Sequence, residues 1–360
     1  AAFAGVGAVT AQLAVGARGA NGLAAGVLAL TYLLRAVGDS STPGPAWPTW
    51  ISPVGWGQQV RPYAGDRWLV LLLLAGFAAI LTVGAFALVR ARDLGAGLIP
   101  DRAGPARAGS GLGTPLGLAW RLHRGPLVAW AAAFAFFGVV LGTIASDVSG
   151  FFESPAARRL FETLGGTSEL VDAFLATEAG FAGVIASAYG IQAALRLHSE
   201  EAALRAEPVL ATQVGRVEWV LSHVLVALAG TAVLLGAFGA AAGAAYAAQT
   251  GVPGDVPRVA AGALVQLPAT WVLTGVVVAA FGLAPRLVGI GWAALVVFLL
   301  IGELGPLLQL PQWALDLSPF AHVPRLPGGE LTVAPLLWLT ALAVALAAAG
   351  LAGFRRRDVG

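Results

Sequence analysis

The chain has 360 residues, of which 58% are hydrophobic and 11% charged, with a formal net charge of +2. Soluble domains run roughly 45–50% apolar and about 25% charged, and folding hides at most ~75% of a chain's surface, so a soluble globule is excluded and a bilayer is the solvent that absorbs the excess. The near-neutral balance excludes the dense basic face of a nucleic-acid-binding protein. There is no cysteine, which excludes disulfides and thiolate chemistry. All 21 basic residues are arginine, so a Walker A loop with its phosphate-binding lysine cannot form in this sequence.

A spanning helix needs about 20 mostly apolar residues. Nine segments are candidates, in chain order 1–15, 22–37, 68–89, 126–146, 174–197, 220–248, 259–283, 287–304 and 334–354. The first is short, and the second is weak because it ends in Arg35. The expected fold is therefore an all-α polytopic membrane protein of about nine transmembrane helices. With Arg355, Arg356 and Arg357 in the cytoplasm and the spans alternating backwards, fourteen arginines fall in inner segments and six in outer ones, the bias expected of the positive-inside rule.

Between the third and fourth spans, segment 94–124 carries Asp101, Pro105 and several glycines and reads as a flexible cytoplasmic linker. Within it, 116–122 suits a short interfacial helix with Trp120 at the lipid boundary. Segment 149–173 lies outside. Its Ser154-Pro155 pair suits a helix start, and Leu160, Phe161 and Leu164 lie opposite Arg158 and Glu162, as in an amphipathic helix on the outer interface.

The inner loop 196–218 is the most informative connection between two spans. It carries His198, Glu200, Glu201, Arg205, Glu207 and Arg216. Glu201 precedes Arg205 by four, a favourable helical pair, and Pro208 biases Glu207 out of the helical region, so a short helix is expected to stop there. Dense charge of both signs on a short element suits docking of a cytoplasmic partner; a solvated connector is the alternative.

Inside the spans, Tyr189 and Gln192 share one helix, and Gln266, Thr270 and Thr274 recur at four-residue spacing on another, next to Trp271. Intramembrane polar groups are functional candidates, so Tyr189, Gln192, Gln266, Trp271 and Thr274 are candidate lining for a substrate path, with helix–helix hydrogen bonding as the alternative. The four histidines, His123, His198, His223 and His322, are far apart in sequence and form no His-x-x-x-His pair, so no metal site is expected. No Gly-x-Ser-x-Gly elbow occurs, and no catalytic residue is expected.

Two stretches of the chain resemble each other. Ile51-Ser52-Pro53, a span, then Arg90-Ala91-Arg92-Asp93 corresponds to Leu317-Ser318-Pro319, a span, then Arg355-Arg356-Arg357-Asp358; Arg18 and Arg286 also correspond. Residues 1–93 then read as the last three helices of a first half and 125–360 as a complete six-helix second half. Two parallel six-helix halves, a known transporter architecture, are the expectation, with three N-terminal helices missing from this chain.

The run Ser199-Glu200-Glu201…Arg205-Ala206-Glu207-Pro208-Val209-Leu210-Ala211-Thr212…Arg216…Trp219 resembles permease subunits of type-2 ABC exporters. So do the paired Ser-Pro motifs, the Arg-x-Arg-Asp endings and Ser52-Pro53-Val54-Gly55-Trp56-Gly57-Gln58-Gln59-Val60-Arg61-Pro62-Tyr63. The similarity is greatest to the actinobacterial group labelled exporter of polyketide antibiotics. It implies a multi-pass protein of the bacterial plasma membrane, with its C-terminus in the cytoplasm, that exports lipophilic or amphipathic molecules. It also implies a separate ATPase subunit, in two copies, which holds the ATP and Mg and docks on a coupling helix near 198–207. The chain itself is expected to be no enzyme and to bind no cofactor. A proton- or ion-coupled transporter and a non-transporting scaffold are the alternatives. The former calls for acids near mid-membrane, and Glu303, an acid inside a span, sits near its end.

Overall fold

The computed structural model describes residues 1–40, 47–93, 95–100, 104, 106–107, 109–150, 167–305 and 307–357. The outer amphipathic segment expected around 154–164 lies outside the described residues. The chain divides into two compact units, Ala1–Arg107 and Ala108–Gly360.

The first unit holds α1 (Ala2–Leu13), α2 (Ala17–Ser40), α3 (Trp47–Ile51), α4 (Pro53–Gln59) and α5 (Val70–Arg90). α1 packs along α5 and against α2. Ser52 is fully buried between α3 and α4. It takes extended backbone angles, accepts from the Gly55 N–H at 3.4 Å and donates to the Thr31 carbonyl of α2 at 2.5 Å, while Pro53 opens α4. This is an N-cap with proline at the first helical position. Beyond α5, the N–H groups of Leu98 and Ile99 and the Arg92 guanidinium bond carbonyls at the end of α1, which would otherwise be left without helical partners.

The second unit holds α6 (Pro115–Gly150), α7 (Thr167–Ala202), α8 (Ala206–Leu210), α9 (Arg216–Thr250), α10 (Asp255–Leu264), α11 (Leu267–Leu283), α12 (Ile290–Leu304), α13 (Gln312–Leu315) and α14 (Val333–Arg356). α6 lies on α9 and α11 on α14, while α7 runs between them and touches α6, α9, α11 and α12. Small residues permit the α11–α14 approach: a Cβ on Gly282 would stand 1.8 Å from the Gly350 carbonyl oxygen. Inside, Leu234, Leu235, Leu273, Val277, Phe281 and Phe354 are almost wholly buried. At one end, Arg258 bridges Asp172 of α7 and Asp255 of α10. Ser318 and Pro319 open a 3-10 turn (Pro319–His322) after the short α13, as Ser52 and Pro53 open α4 after the short α3.

Three sequence expectations change. Residues 116–122 are no separate interfacial helix; they are the first turns of α6, which runs on through Pro126. The expected span 259–283 is two helices, α10 and α11, broken at Val265 and Gln266, because Pro268 has no N–H for the ladder and disfavours helix before it. The weak span 22–37 lies inside the 24-residue α2.

Among the described residues six helices are long and apolar enough to cross a membrane: α5, α6, α7, α9, the α10–α11 pair and α14. α1 and α12 are shorter and apolar. Leu72, Ile80, Val83 and Phe86 of α5 and Leu337 and Val344 of α14 are each more than 60% exposed. In water such faces would aggregate; against lipid they are solvated. The protein is an all-α polytopic membrane protein.

Candidate functional site

Two places in the second unit concentrate polar side chains. The first is the corner between α7 and α9, where the chain turns at an arginine-rich end of the bundle. α7 stops at Ala202. Leu204 then adopts φ 57°, its N–H bonds the Glu201 carbonyl at 2.8 Å, and the Arg205 N–H bonds the Glu200 carbonyl at 2.9 Å. This pair of bonds is a Schellman ending, with leucine where glycine is usual. Pro208 does not end a helix as expected; it lies in the first turn of α8, where its missing N–H costs nothing.

The left-handed turn also reassigns the ion pairs. Arg205 leaves the helical register and reaches Glu200, at 2.8 Å, in place of Glu201. Glu200 is buried and also receives Arg196 at 2.6 Å. The carboxylate beside it raises the Arg205 pKa further above the ordinary arginine value. Glu201 pairs instead with Arg357, just past α14. The Arg357 guanidinium donates to the Phe281 carbonyl at 3.0 Å and lies 5.2 and 5.4 Å from the Phe281 and Phe354 ring centroids. Arg216 closes the ring by donating to the Arg357 carbonyl at 2.6 Å. Glu207 stays exposed, and Leu204 is 61% exposed at the tip. His198 is half-buried, and its Nδ1 is without a hydrogen-bond partner.

Behind the corner, His123 of α6 and His223 of α9 meet, 100 residues apart in sequence, with Nε2···Nδ1 at 3.1 Å. Both are buried, and Trp219 lies against His223 with ring centroids at 5.4 Å. No sequence spacing marks this pair, because it is made only when α6 packs on α9. Among the described residues no group of three or more histidine, cysteine or acidic side chains is placed to hold a metal.

The second place is the interior between α7, α9, α11 and α12. Tyr189 is buried against Trp130 and Gly230, its hydroxyl without a partner. Gln192, on the exposed side of α7, accepts from the Trp130 indole at 3.0 Å, and the Trp271 indole donates to Thr231 at 3.1 Å. Thr274 is fully buried, bonds the Thr270 carbonyl and stands against Gly190. These four lie where helices pack, and none of them lines the cavity formed at Gln266.

Gln266 differs. It sits at the α10–α11 break, 5% exposed, with its side-chain oxygen bonded to nothing. It lines a cavity of about 440 Å³ whose walls include Phe181 of α7, Phe298 and Glu303 of α12, and Phe320 and Arg325 ahead of α14. The cavity's lining is about equally polar and apolar, and it is partly open.

Comparison with known proteins agrees with this architecture. A curated relative, the "Multidrug efflux system permease protein Rv1217c" of Mycobacterium tuberculosis (strain ATCC 25618 / H37Rv), is 46% identical over 359 residues. The alignment covers 99% of this chain and 65% of the relative, so the chain spans about two thirds of that protein's length. The family described as "Multidrug efflux system permease Rv1217c, C-terminal domain" matches residues 112–355, nearly the whole second unit. The chain belongs to this multidrug efflux permease family.

Proposed function

We propose that the chain is the membrane permease part of an ATP-driven exporter of lipophilic or amphipathic small molecules, such as drugs or polyketide antibiotics. A separate ATPase, in two copies, binds ATP and Mg and docks on the loop after α7. Its closure tilts two parallel helical halves and switches the pathway from inward to outward access. The C-terminus and the arginine-rich corner face the cytoplasm of a bacterial cell.

The observation that carries this reading is the built corner at Glu200–Glu207. Its charges are largely spent inside the fold: Glu200 fixes two arginines, and Glu201 is tied to Arg357. What the corner offers outward is Leu204 and Glu207, with the exposed flank of Arg205 between them. An apolar anchor beside a charge is the composition of a small, specific contact. The link through Arg357 to α11 and α14 would carry a push on the tip into the bundle. The similar Ser-Pro helix starts in the two units, each after a short helix, support the two-half reading.

The test is co-purification of the ATPase with the permease. The unaltered protein is expected to retain it, and the double variant Leu204→Asp with Glu207→Arg to lose it while keeping its own thermal midpoint. Retention by the double variant would remove the docking assignment. A permease that never retains an ATPase, yet moves substrate down or against an ion gradient in proteoliposomes, would be an ion-coupled carrier instead.

A further inference from the structure

The lipid-facing stripe of α14 ends in charge. Leu337, Ala341, Val344, Ala348 and Ala352 are all exposed and recur every three or four residues, which places them on one face of the helix. The same spacing leads on to Arg355 and Arg356 in the last turn, and both are exposed. The next arginine behaves differently. Arg357 turns inward to Glu201 and the Phe281 carbonyl, and Arg216 donates to the Arg357 carbonyl at 2.6 Å, so the helix end is held in place. Among the described residues neither the Arg355 nor the Arg356 side chain has an ion-pair or hydrogen-bond partner. α11 and α14 finish side by side: a Cβ on Gly353 would stand 2.7 Å from the Gly282 carbonyl oxygen and 2.7 Å from Leu283 Cδ2. Arg286, exposed in the turn after α11, adds a third outward arginine at this end, between the exposed Leu283 and Leu287. No acidic residue occurs in 284–302 or in 331–357 to neutralise them.

The same division of labour recurs in the first unit. Ile80, Val83 and Phe86 of α5, each more than 60% exposed, lead at helical spacing to the exposed Arg90, while Arg92 turns to the Ala11 carbonyl of α1. Arg90 and Arg92 are the counterparts of Arg355 and Arg357 in the internal repeat.

An arginine at the end of a lipid-facing stripe lays its stem along apolar surface and raises its guanidinium to the headgroups. The groups it meets there are phosphates, which its planar fork binds well. Arginines with no acid beside them leave a charge that an anionic headgroup neutralises and a zwitterionic one does not. We propose that Arg355 and Arg356, with Arg286 beside them, are a binding site for the headgroup of an anionic phospholipid, whose chains lie along the exposed stripe of α14. The occupant is a membrane lipid at the rim of the bundle, not cargo between its helices. It sits next to Arg357, the residue that ties α14 to Glu201 of the corner. Naming the leaflet as the cytoplasmic one rests on the arginine topology; the binding itself does not.

The test is native mass spectrometry of the delipidated permease, without ATPase, titrated with an equimolar mixture of phosphatidylglycerol and phosphatidylcholine bearing the same acyl chains. One arginine near the headgroups favours an anionic lipid about fivefold, so the first phosphatidylglycerol adduct is expected to exceed the first phosphatidylcholine adduct by about tenfold. Arg355→Gln with Arg356→Gln should lower that ratio about fivefold or more. Arg355→Lys with Arg356→Lys keeps both charges and should keep most of the preference. Arg121→Gln with Arg124→Gln removes the same charge from two exposed positions in the first turns of α6 and should leave the ratio in place. Equal binding of the two lipids by the unaltered protein, a preference that survives the glutamine pair, its loss in the lysine pair, or an equal loss in the Arg121 and Arg124 pair would each overturn the proposal. If the glutamine pair keeps the lipid preference yet no longer retains the ATPase in a pull-down, the arginines belong to that partner's contact and the lipid site falls. No transport is measured, so these outcomes stand apart from failure of the efflux reading.

Discussion

Leu204 is the residue at which local cost and outward purpose are most clearly opposed. It holds a left-handed φ of 57°, a conformation that costs a residue with a Cβ about 1–2 kcal/mol, and it exposes an aliphatic side chain at the end of a turn where glycine would be free of that strain. The two backbone bonds of the turn offset part of this, but the side chain, 61% exposed, adds little inside the described fold; contact with something outside the chain would. Leu204→Gly separates the two roles. Relief of strain, less the roughly 0.5–1 kcal/mol that glycine loses in conformational freedom on folding, should leave the thermal midpoint equal or slightly raised. Retention of the ATPase in a pull-down should fall. A lowered midpoint would mean that Leu204 has a structural partner, and undiminished retention would mean that the tip is not the contact. At this scale the sequence was informative about composition and poor about pairing. The loop's charges marked the site, yet the i,i+4 rule assigned Arg205 to Glu201, because that rule assumes an unbroken helix and the αL turn at Leu204 is not visible in the letters. Arg357 was read as a topology signal and as part of the repeat; its bond to Glu201 joins positions 156 residues apart.

At the scale of elements, what was legible was what hydrophobic length dictates. The long apolar runs became helices, with caps such as Ser52-Pro53 where an N-cap and proline stand together. What was not legible was the break at Gln266. Pro268 was a written warning, but it lay inside 259–283, an apolar stretch long enough to span, and length prevailed over the breaker. Interhelical contact was equally hidden. The α11–α14 crossing depends on Gly282 and Gly350 meeting backbone to backbone, and many other glycines in the sequence look the same. This crossing makes a strong prediction. In lipid, helices associate through close packing of small residues, so a methyl group on Gly282 cannot be absorbed by a flexible neighbour: its obstacle is the Gly350 carbonyl. Gly282→Ala should cost about 1–3 kcal/mol, the usual range for an overpacked contact, read as a lower midpoint for aggregation in detergent. Gly180→Ala, in open space on α7, should leave that midpoint within ~0.5 kcal/mol of the parent. Equal behaviour of the two would mean that the helices part without cost.

For the whole molecule, the arginine distribution predicts a direction for the α7–α9 corner, and the absence of cysteine makes that prediction testable with single introduced thiols. Glu207 is exposed on the corner, and Val252, 51% exposed, lies in the connection between α9 and α10 at the other end of the same spanning helix. α9 has 35 residues, about 52 Å at 1.5 Å per residue, longer than a bilayer of ~40–45 Å including headgroups, so its two ends must emerge on opposite sides. With the arginine-rich side in the cytoplasm, Val252→Cys should react with a membrane-impermeant maleimide in intact cells, and Glu207→Cys should not. In inside-out vesicles the pattern should reverse. The vesicles also distinguish the partner: if an ATPase covers the corner, Glu207→Cys should label slowly in vesicles from cells that make the ATPase and quickly in vesicles from cells that lack it, while Val252→Cys in intact cells should be indifferent to that deletion. Labelling of Glu207→Cys in intact cells would invert the topology and place the charged corner outside, where no ATP-driven subunit could reach it. Rapid labelling in vesicles regardless of the ATPase would keep the topology and move the contact elsewhere on the arginine-rich face.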